Sequence, residues 1–173
     1  MRIEKIIVGN LETNCYLVIK GSKVLIIDPG DEPEKIINEI DNLDCVGILL
    51  THHHFDHVGA LDKLLSYYKV NLYDKNNLKE GTNNIDVFNF EVIYTPGHTS
   101  DSMSYYFKDE NILFSGDFIF KDSIGRTDLG GNDLEMFDSI NRIKKYDRNI
   151  IIKPGHGDDT TLCHEIDYNP FFN

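Results

Sequence analysis

The sequence predicts a mixed α/β fold in which two strand-rich halves are each followed by helices. Three observations carry that expectation. Short apolar and β-branched runs bounded by Gly, Pro and Asp occur in both halves of the chain. Segments with apolar residues at helical spacing follow them. Four of the strand-like runs stop at turns that carry His or Asp. At 173 residues the chain has the usual size of one domain with its own core, so a single domain over 1–173 is expected.

In order, residues 2–8, 14–20 and 23–27 read as strands, and Gly21-Ser22 between the last two is a tight-hairpin signal. Asp28-Pro29-Gly30 breaks the sheet. Pro33 can open a helix at its first turn, with Ile36, Ile37 and Ile40 at near-helical spacing. Residues 45–50 form the next strand. Residues 58–68 read as a helix with Leu61, Leu64, Leu65 and Tyr68 on one face, and 70–73 as a strand. In the second half, 90–95 is a strand ending at Pro96-Gly97-His98, and 103–107 and 111–114 form a hairpin around Lys108-Asp109-Glu110. Residues 133–145 read as a helix, with Asp133 near its start and Leu134, Phe137, Ile140 and Ile143 along one face. A strand over 149–152 ends at Pro154-Gly155-His156-Gly157, and a final helix spans 161–168.

Composition excludes several function classes. The net charge of −12 disfavours nucleic acid as a partner, because phosphate binding needs a basic surface. No apolar stretch approaches the length of a membrane span, so no membrane partner is expected. The N-terminus has no signal-peptide core, which predicts a cytoplasmic protein. Three sparse cysteines, Cys15, Cys45 and Cys163, make neither a disulfide framework nor a CxxC metal site. The expected partner is a small-molecule substrate, and oligomeric state is left open.

The chemistry concentrates in Thr51-His52-His53-His54-Phe55-Asp56-His57, directly after the apolar run 45–50. Neutral imidazoles and a carboxylate are the donors a borderline divalent metal takes. In an extended segment His52, His54 and Asp56 share one face and His53 points away, while a tight turn at Asp56-His57 adds another nitrogen. A tag remnant would sit at a terminus, without a strand before it or an Asp within it. Three further strand ends offer His98, Asp117 and His156, each beside Gly or Pro that permits a tight turn. Several loops meeting at one sheet edge are a usual way to hold a catalytic constellation on rigid elements.

Together with Thr13-Asn14-Cys15-Tyr16, Ile27-Asp28-Pro29-Gly30, Thr95-Pro96-Gly97-His98-Thr99, Ser115-Gly116-Asp117, Ser123-Ile124-Gly125-Arg126-Thr127-Asp128 and the tail Asn169-Pro170-Phe171, this pattern resembles the metallo-β-lactamase-fold hydrolases. Within them it is similar to the short glyoxalase II-like (hydroxyacylglutathione hydrolase-like) branch. The resemblance implies a four-layer αββα sandwich. It implies a first metal on His52, His54 and His98, a second on Asp56, His57 and His156, and Asp117 bridging both. Zinc is the first expectation for the two divalent ions, with iron or manganese, or a mixed iron/zinc pair, open. The implied chemistry is hydrolysis by a metal-bridging hydroxide. Asp56 and Asp117 are the candidate catalytic carboxylates, and Asp28 is a candidate for fixing a ligand imidazole's tautomer. A thiolate leaving group, from a thiol of pKa ~8.5, needs no strong general acid.

Substrate identity is less legible. Full-length glyoxalase II adds a C-terminal helical domain, for which this sequence leaves no room after His156. Arg126 stands where glutathione-using relatives carry lysine, so it is the candidate substrate contact; Asp128 and Asp158 stand where they carry tyrosine. The alternative for Arg126 is an ion pair with Asp128 or Asp122 that orders its loop. The expected activity is hydrolysis of small acyl-thiols such as S-lactoylglutathione. The alternatives are a single-iron persulfide dioxygenase-like oxidoreductase and a hydrolase of another ester, lactone or amide.

Overall fold

Strands β1 (Arg2–Val8), β2 (Thr13–Lys20) and β3 (Lys23–Ile27) form an antiparallel run in the computed structural model, which describes residues 1–172. β2 is buried along all but its last residue, so its side chains alternate between two cores instead of between core and water. Tyr16 and Val18 join one apolar cluster, and Cys15, Leu17 and Ile19 join another. Helix α1 (Pro33–Ile40) then crosses over to β4 (Asp44–Leu49), which pairs parallel with β3. An eight-residue helix is marginal alone, so packing of the buried Ile36 and Ile40 must hold it, at ~1.5–3 kcal/mol per fully buried side chain. Helices α2 (Phe55–Val58) and α3 (Leu61–Tyr68) lead to β5 (Leu72–Tyr73), also parallel to its neighbour, completing a five-stranded sheet.

The second sheet begins with the hairpin β6 (Gly81–Ile85) and β7 (Phe88–Tyr94), followed by β8 (Met103–Phe107) and β9 (Ile112–Gly116). A small hairpin, β10 (Ile119–Phe120) and β11 (Ser123–Ile124), comes next. Helix α4 (Asp133–Ile143) crosses over to β12 (Ile151–Pro154), which pairs parallel with β9. β13 (Thr160–Thr161), α5 (Leu162–Tyr168) and a 3₁₀ turn at Pro170–Phe172 end the described chain. Phe88, Phe90, Tyr105, Phe107 and Phe114 face the first sheet, while Leu113 and Ile152 face α4. The layers are therefore helix, sheet, sheet, helix: the αββα sandwich implied by the resemblance. No helix among the described residues is long and apolar enough to cross a membrane.

Three local expectations need correction. The helix placed over 58–68 is two helices parted at Gly59-Ala60, and Asp56 and His57 lie inside the first, so their turn is a helical one closed by His57 N–H donating to His54 O at 2.9 Å. α4 buries Met136, Ile140 and Ile143, while Leu134 and Phe137 are exposed, because the register i, i+4, i+7 from Met136 matches the sheet. β6 has no counterpart among the expected strands; its residues Gly81–Ile85 are mostly polar and give no hydrophobic signal.

β7 and β9 both run antiparallel to β8, and β12 runs parallel to β9, so all three strands end at one edge. Backbone links fasten that edge to the first sheet: Asn14 N–H donates to Gly155 O at 2.7 Å, and Met103 N–H to Thr51 O at 2.9 Å. The C-terminal end of β4 thereby meets those of β7, β9 and β12.

Candidate metal centre

Four strand ends deliver seven donors to that edge. β4 leads into His52, His54, Asp56 and His57, β7 into His98, β9 into Asp117 and β12 into His156. Their donor atoms fall into overlapping triads: His52, His54 and His98; His52, His57 and Asp117; and Asp56, His57 and His156. Within each triad the atoms lie within 4.8 Å of one another. Asp117 reaches across both sets. Its Oδ1 is 3.3 Å from His57 Nε2, and its Oδ2 is 3.5 Å from both His98 Nε2 and His156 Nε2. Gly155 makes this approach possible, since a Cβ there would stand 2.2 Å from Asp117 Oδ1.

These residues fit divalent cations. His52 Nε2, His57 Nε2 and Asp117 Oδ1 are buried and have no hydrogen-bond partner. A buried polar atom left without a partner costs ~1–3 kcal/mol. Three such atoms converging with further imidazoles form a nitrogen and oxygen donor set of the kind zinc, iron or manganese accepts.

The imidazoles are held from behind, which fixes which nitrogen faces inward. The Thr51 hydroxyl donates to Asp28 Oδ2 at 2.6 Å and lies 3.1 Å from His52 Nδ1. Asp28 Oδ1 accepts from Thr51 N–H at 2.8 Å, and its Oδ2 is 3.0 Å from His57 Nδ1. Asp28 is buried and sits at φ 51°, a left-handed conformation that a non-glycine residue holds only when its surroundings enforce it. His98 Nδ1 donates to the Arg126 carbonyl at 2.6 Å, and His156 Nδ1 to the Leu11 carbonyl at 3.0 Å. The Thr13 hydroxyl donates to Asp56 Oδ2 at 3.2 Å.

Electrostatics separate the histidines. Burial, with the charge of His57 beside it, pulls His52 down to about 3. Burial also lowers His54. Burial opposes the charge on His57 as well, but Asp28 and Asp117 outweigh it and raise this imidazole to about 10. At His156 burial is outweighed by Asp117 and Asp56, which raise it to about 9. Asp56 is lowered to about 2, because hydrogen bonding to His156 and the charge of His57 overcome its burial. Asp117 is driven well below the carboxylate range by the same two histidines, again against burial.

Two other predicted residues lie beside the donors without joining them. Arg126 donates to Asp128 from Nε at 2.6 Å and from Nη2 at 2.7 Å, both side chains exposed, so its guanidinium is engaged within its own loop. His53 points away from the donors and bridges two carboxylates, Asp101 at 2.5 Å and Asp74 at 3.1 Å. Sequence reasoning missed the roles of Thr13, Thr51 and the carbonyls of Leu11 and Arg126. Thr13 and Thr51 each open a motif that carries the family resemblance, which was the only signal for them, and a carbonyl has none.

A family model described as the metallo-β-lactamase superfamily matches residues 8–74 and 72–156. The chain is 36% identical to the hydroxyacylglutathione hydrolase GloC of Haemophilus influenzae, over 100% of this chain and 99% of that protein. It superposes with a TM-score of 0.93 on the crystal structure of the B3 metallo-β-lactamase BLEG-1, 34% identical, covering 99% of each chain. A TM-score of 0.89 relates it to TTHA1623, solved in a di-iron-bound form, with 33% identity over 97% of this chain and 99% of that one.

Proposed function

The chain belongs to the metallo-β-lactamase superfamily, whose fold implies divalent metal ions, and from that premise we propose that it is a thioester hydrolase using two of them on small acyl-thiols, S-lactoylglutathione among them. The observation that supports the proposal is the convergence of seven donors in three overlapping groups, with Asp117 within 3.5 Å of His57, His98 and His156. His52, His54 and His98 would hold one ion, Asp56, His57 and His156 the other. Zinc is the first ion we assign; iron is second, because a relative 33% identical was solved with two irons. Bound there, such ions acidify water toward neutrality and polarise a carbonyl.

The chain's own residues supply orientation. Asp56, at about 2, is a poor proton acceptor at neutral pH, so it acts by aiming the groups it touches. Thr13 fixes one of its oxygens. Asp28 and Thr51 hold His52 and His57 with their Nε2 atoms turned inward. A thiol of pKa ~8.5 departs as thiolate without a dedicated acid. Neither spare histidine is free to serve as one: His53 is clamped between Asp74 and Asp101, and His164 lies 2.6 Å from Asp122. Arg126 remains the candidate contact for a substrate carboxylate, which would have to displace Asp128; exposed ion pairs are screened by water and exchange readily. A small-molecule substrate and a cytoplasmic location belong to the same proposal, the latter resting on three unpaired cysteines.

β-Lactam hydrolysis is a second reading, favoured by the match to BLEG-1. It demands protonation of a departing amide nitrogen, which thioester hydrolysis does not. A panel of S-lactoylglutathione, simpler thioesters and a chromogenic cephalosporin separates the two, run beside His54→Ala and Asp117→Ala. The proposal expects thioester turnover by wild type alone, with close to two metal ions per chain. A single iron with oxygen uptake on glutathione persulfide would overturn it.

A further inference from the structure

The tail Asn169-Pro170-Phe171 and the β10–β11 hairpin take no part in the chemistry above, yet buried polar groups join them. Glu165 on α5 is fully buried. A buried carboxylate is costly unless its oxygens are hydrogen-bonded. Its Oε1 accepts from the Thr160 hydroxyl at 2.5 Å, and its Oε2 accepts from Asp122 N–H at 3.0 Å and from Asn169 Nδ2 at 2.7 Å. Asn169, also fully buried, donates from the same Nδ2 to the Ser123 carbonyl at 2.9 Å, and its Oδ1 accepts from Phe171 N–H at 3.0 Å. Glu165 and Asn169 thus grip Asp122, the second residue of the β10–β11 turn, and Ser123, the first of β11. Asp122 holds φ 61° there, which without such a grip is unfavourable for a non-glycine residue.

Directly after the turn, the chain forms the back wall of the metal centre. Arg126, three residues after Ser123, offers the carbonyl that accepts from His98 Nδ1 at 2.6 Å. Gly125 is wedged so tightly that a Cβ would lie 1.7 Å from the Asp117 carbonyl oxygen and 3.1 Å from His98 Nδ1. A shift of the hairpin therefore moves the carbonyl that sets the His98 ring. The other triad has separate anchors in Thr13, Asp28 and Leu11.

We propose that Glu165 and Asn169 are positioning residues for the metal centre: they lock the β10–β11 turn, and through it the Arg126 carbonyl that aims His98. The inference rests on the two-metal reading above and predicts a one-sided effect, on the His52, His54, His98 triad. Asp122, His164 and Glu165 also form a compact trio of potential metal donors, but both Glu165 oxygens are already satisfied, so the trio is a clamp.

The test is zinc titration of the full chain against a chromophoric chelator, with the visible spectrum of the cobalt-substituted protein as a second readout. Glu165→Gln sets an amide N–H₂ against donors it cannot satisfy. It should weaken one of the two zinc ions about tenfold, the low end for residues behind metal ligands. The bands of one cobalt equivalent should change and those of the other stay. Ile143→Val loosens the same helix layer away from the clamp; it should lower the melting temperature and leave both zinc affinities alone. If Glu165→Gln does not fold, Asn169→Ala carries the same expectation at about fivefold, roughly one hydrogen bond. A Glu165→Gln protein that melts earlier but binds both zinc ions like wild type overturns the proposal. Wild type holding one zinc would sink the two-metal reading instead, and the ratio of variant to wild-type affinity still decides this one.

Discussion

His52 and His54 on one side of the centre, and His57 and His156 on the other, are the same kind of side chain in opposite protonation states. Burial holds His52 down at about 3 and lowers His54, so without a cation both are neutral at pH 7. His57 and His156, raised to about 10 and about 9, are charged there. The difference is the count of nearby carboxylates. Asp28, Asp117 and Asp56 crowd the second triad, and two imidazolium protons stand in for the positive charge those carboxylates demand. His52 and His54 would need to lose no proton to accept a metal. His57 and His156 would have to give up protons to accept one.

The most damaging way to break this contrast is to remove the residue common to both sides. Asp117→Asn takes away the charge shared by His57, His98 and His156. Several kcal/mol of stabilisation rest on such a charge, so thioester turnover should fall by ~10³-fold or more. Metal analysis should show both ions weakened. Retention of either at wild-type affinity would mean that Asp117 serves one side only.

Acidity sharpens the contrast next. An ion entering the second triad near pH 7 displaces protons from His57 and His156, so its affinity should rise ~10²-fold per pH unit until about pH 9. His52 and His54 should add almost no slope above pH ~6.5, the ordinary histidine value. Calorimetry in buffers of different ionisation enthalpy counts the protons: about two from His57 and His156, near none from His52 and His54. The metal-free protein should behave in the opposite sense. Both imidazoles have folded values above their unfolded ones, so the stability they contribute is complete below pH ~6.5 and is lost as pH rises through about 9 and about 10. Melting temperatures in chelator that rise over that interval would refute the assignment of charge.

The seven donors were legible because each lies where an apolar run stops at a Gly, Pro or His-rich turn, and strand direction then brings four such stops to one edge. What holds them was less so. The carbonyls of Leu11 and Arg126 exist in any sequence, and only the fold aims them at His156 and His98. β6 escaped because a polar strand at a sheet edge carries no hydrophobic period, and its hairpin turns at Asp86, with φ 52°, where Asn-Gly would have announced it. On α4 the sequence reading places Leu134, Phe137, Ile140 and Ile143 on one face; packing keeps Ile140 and Ile143, adds Met136 and leaves Leu134 and Phe137 exposed.

Substitutions behind the ligands divide the triads more finely. Thr51→Val keeps the shape of the side chain and deletes the hydroxyl between Asp28 and His52, so the first ion should weaken and the second should not. Asp28→Asn disturbs the Thr51 contacts and the approach to His57 together, so both ions should weaken. Residues in this position are worth ~10–100-fold in metal affinity. Equal losses from Thr51→Val at both ions, by chelator competition, would show that Asp28 and Thr51 act as one rigid block.

The smallest effect is expected at His53, the histidine that adjoins the ligands without joining them. Its ring spans from Asp74, past the end of β5, to Asp101, in the turn after His98, so it ties the two sheets together beside the first triad. Charge holds it in place: burial works against its protonation, but Asp101 and Asp74 prevail and raise its pKa. The side chain is 42% exposed, where water screens the pairing and ~0.5 kcal/mol is typical. His53→Gln should therefore cost less than threefold in affinity for the first ion and nothing at the second, because the turn it steadies contains no donor of that triad. A loss beyond tenfold would make His53 a member of the site, held in place by carboxylates rather than by metal.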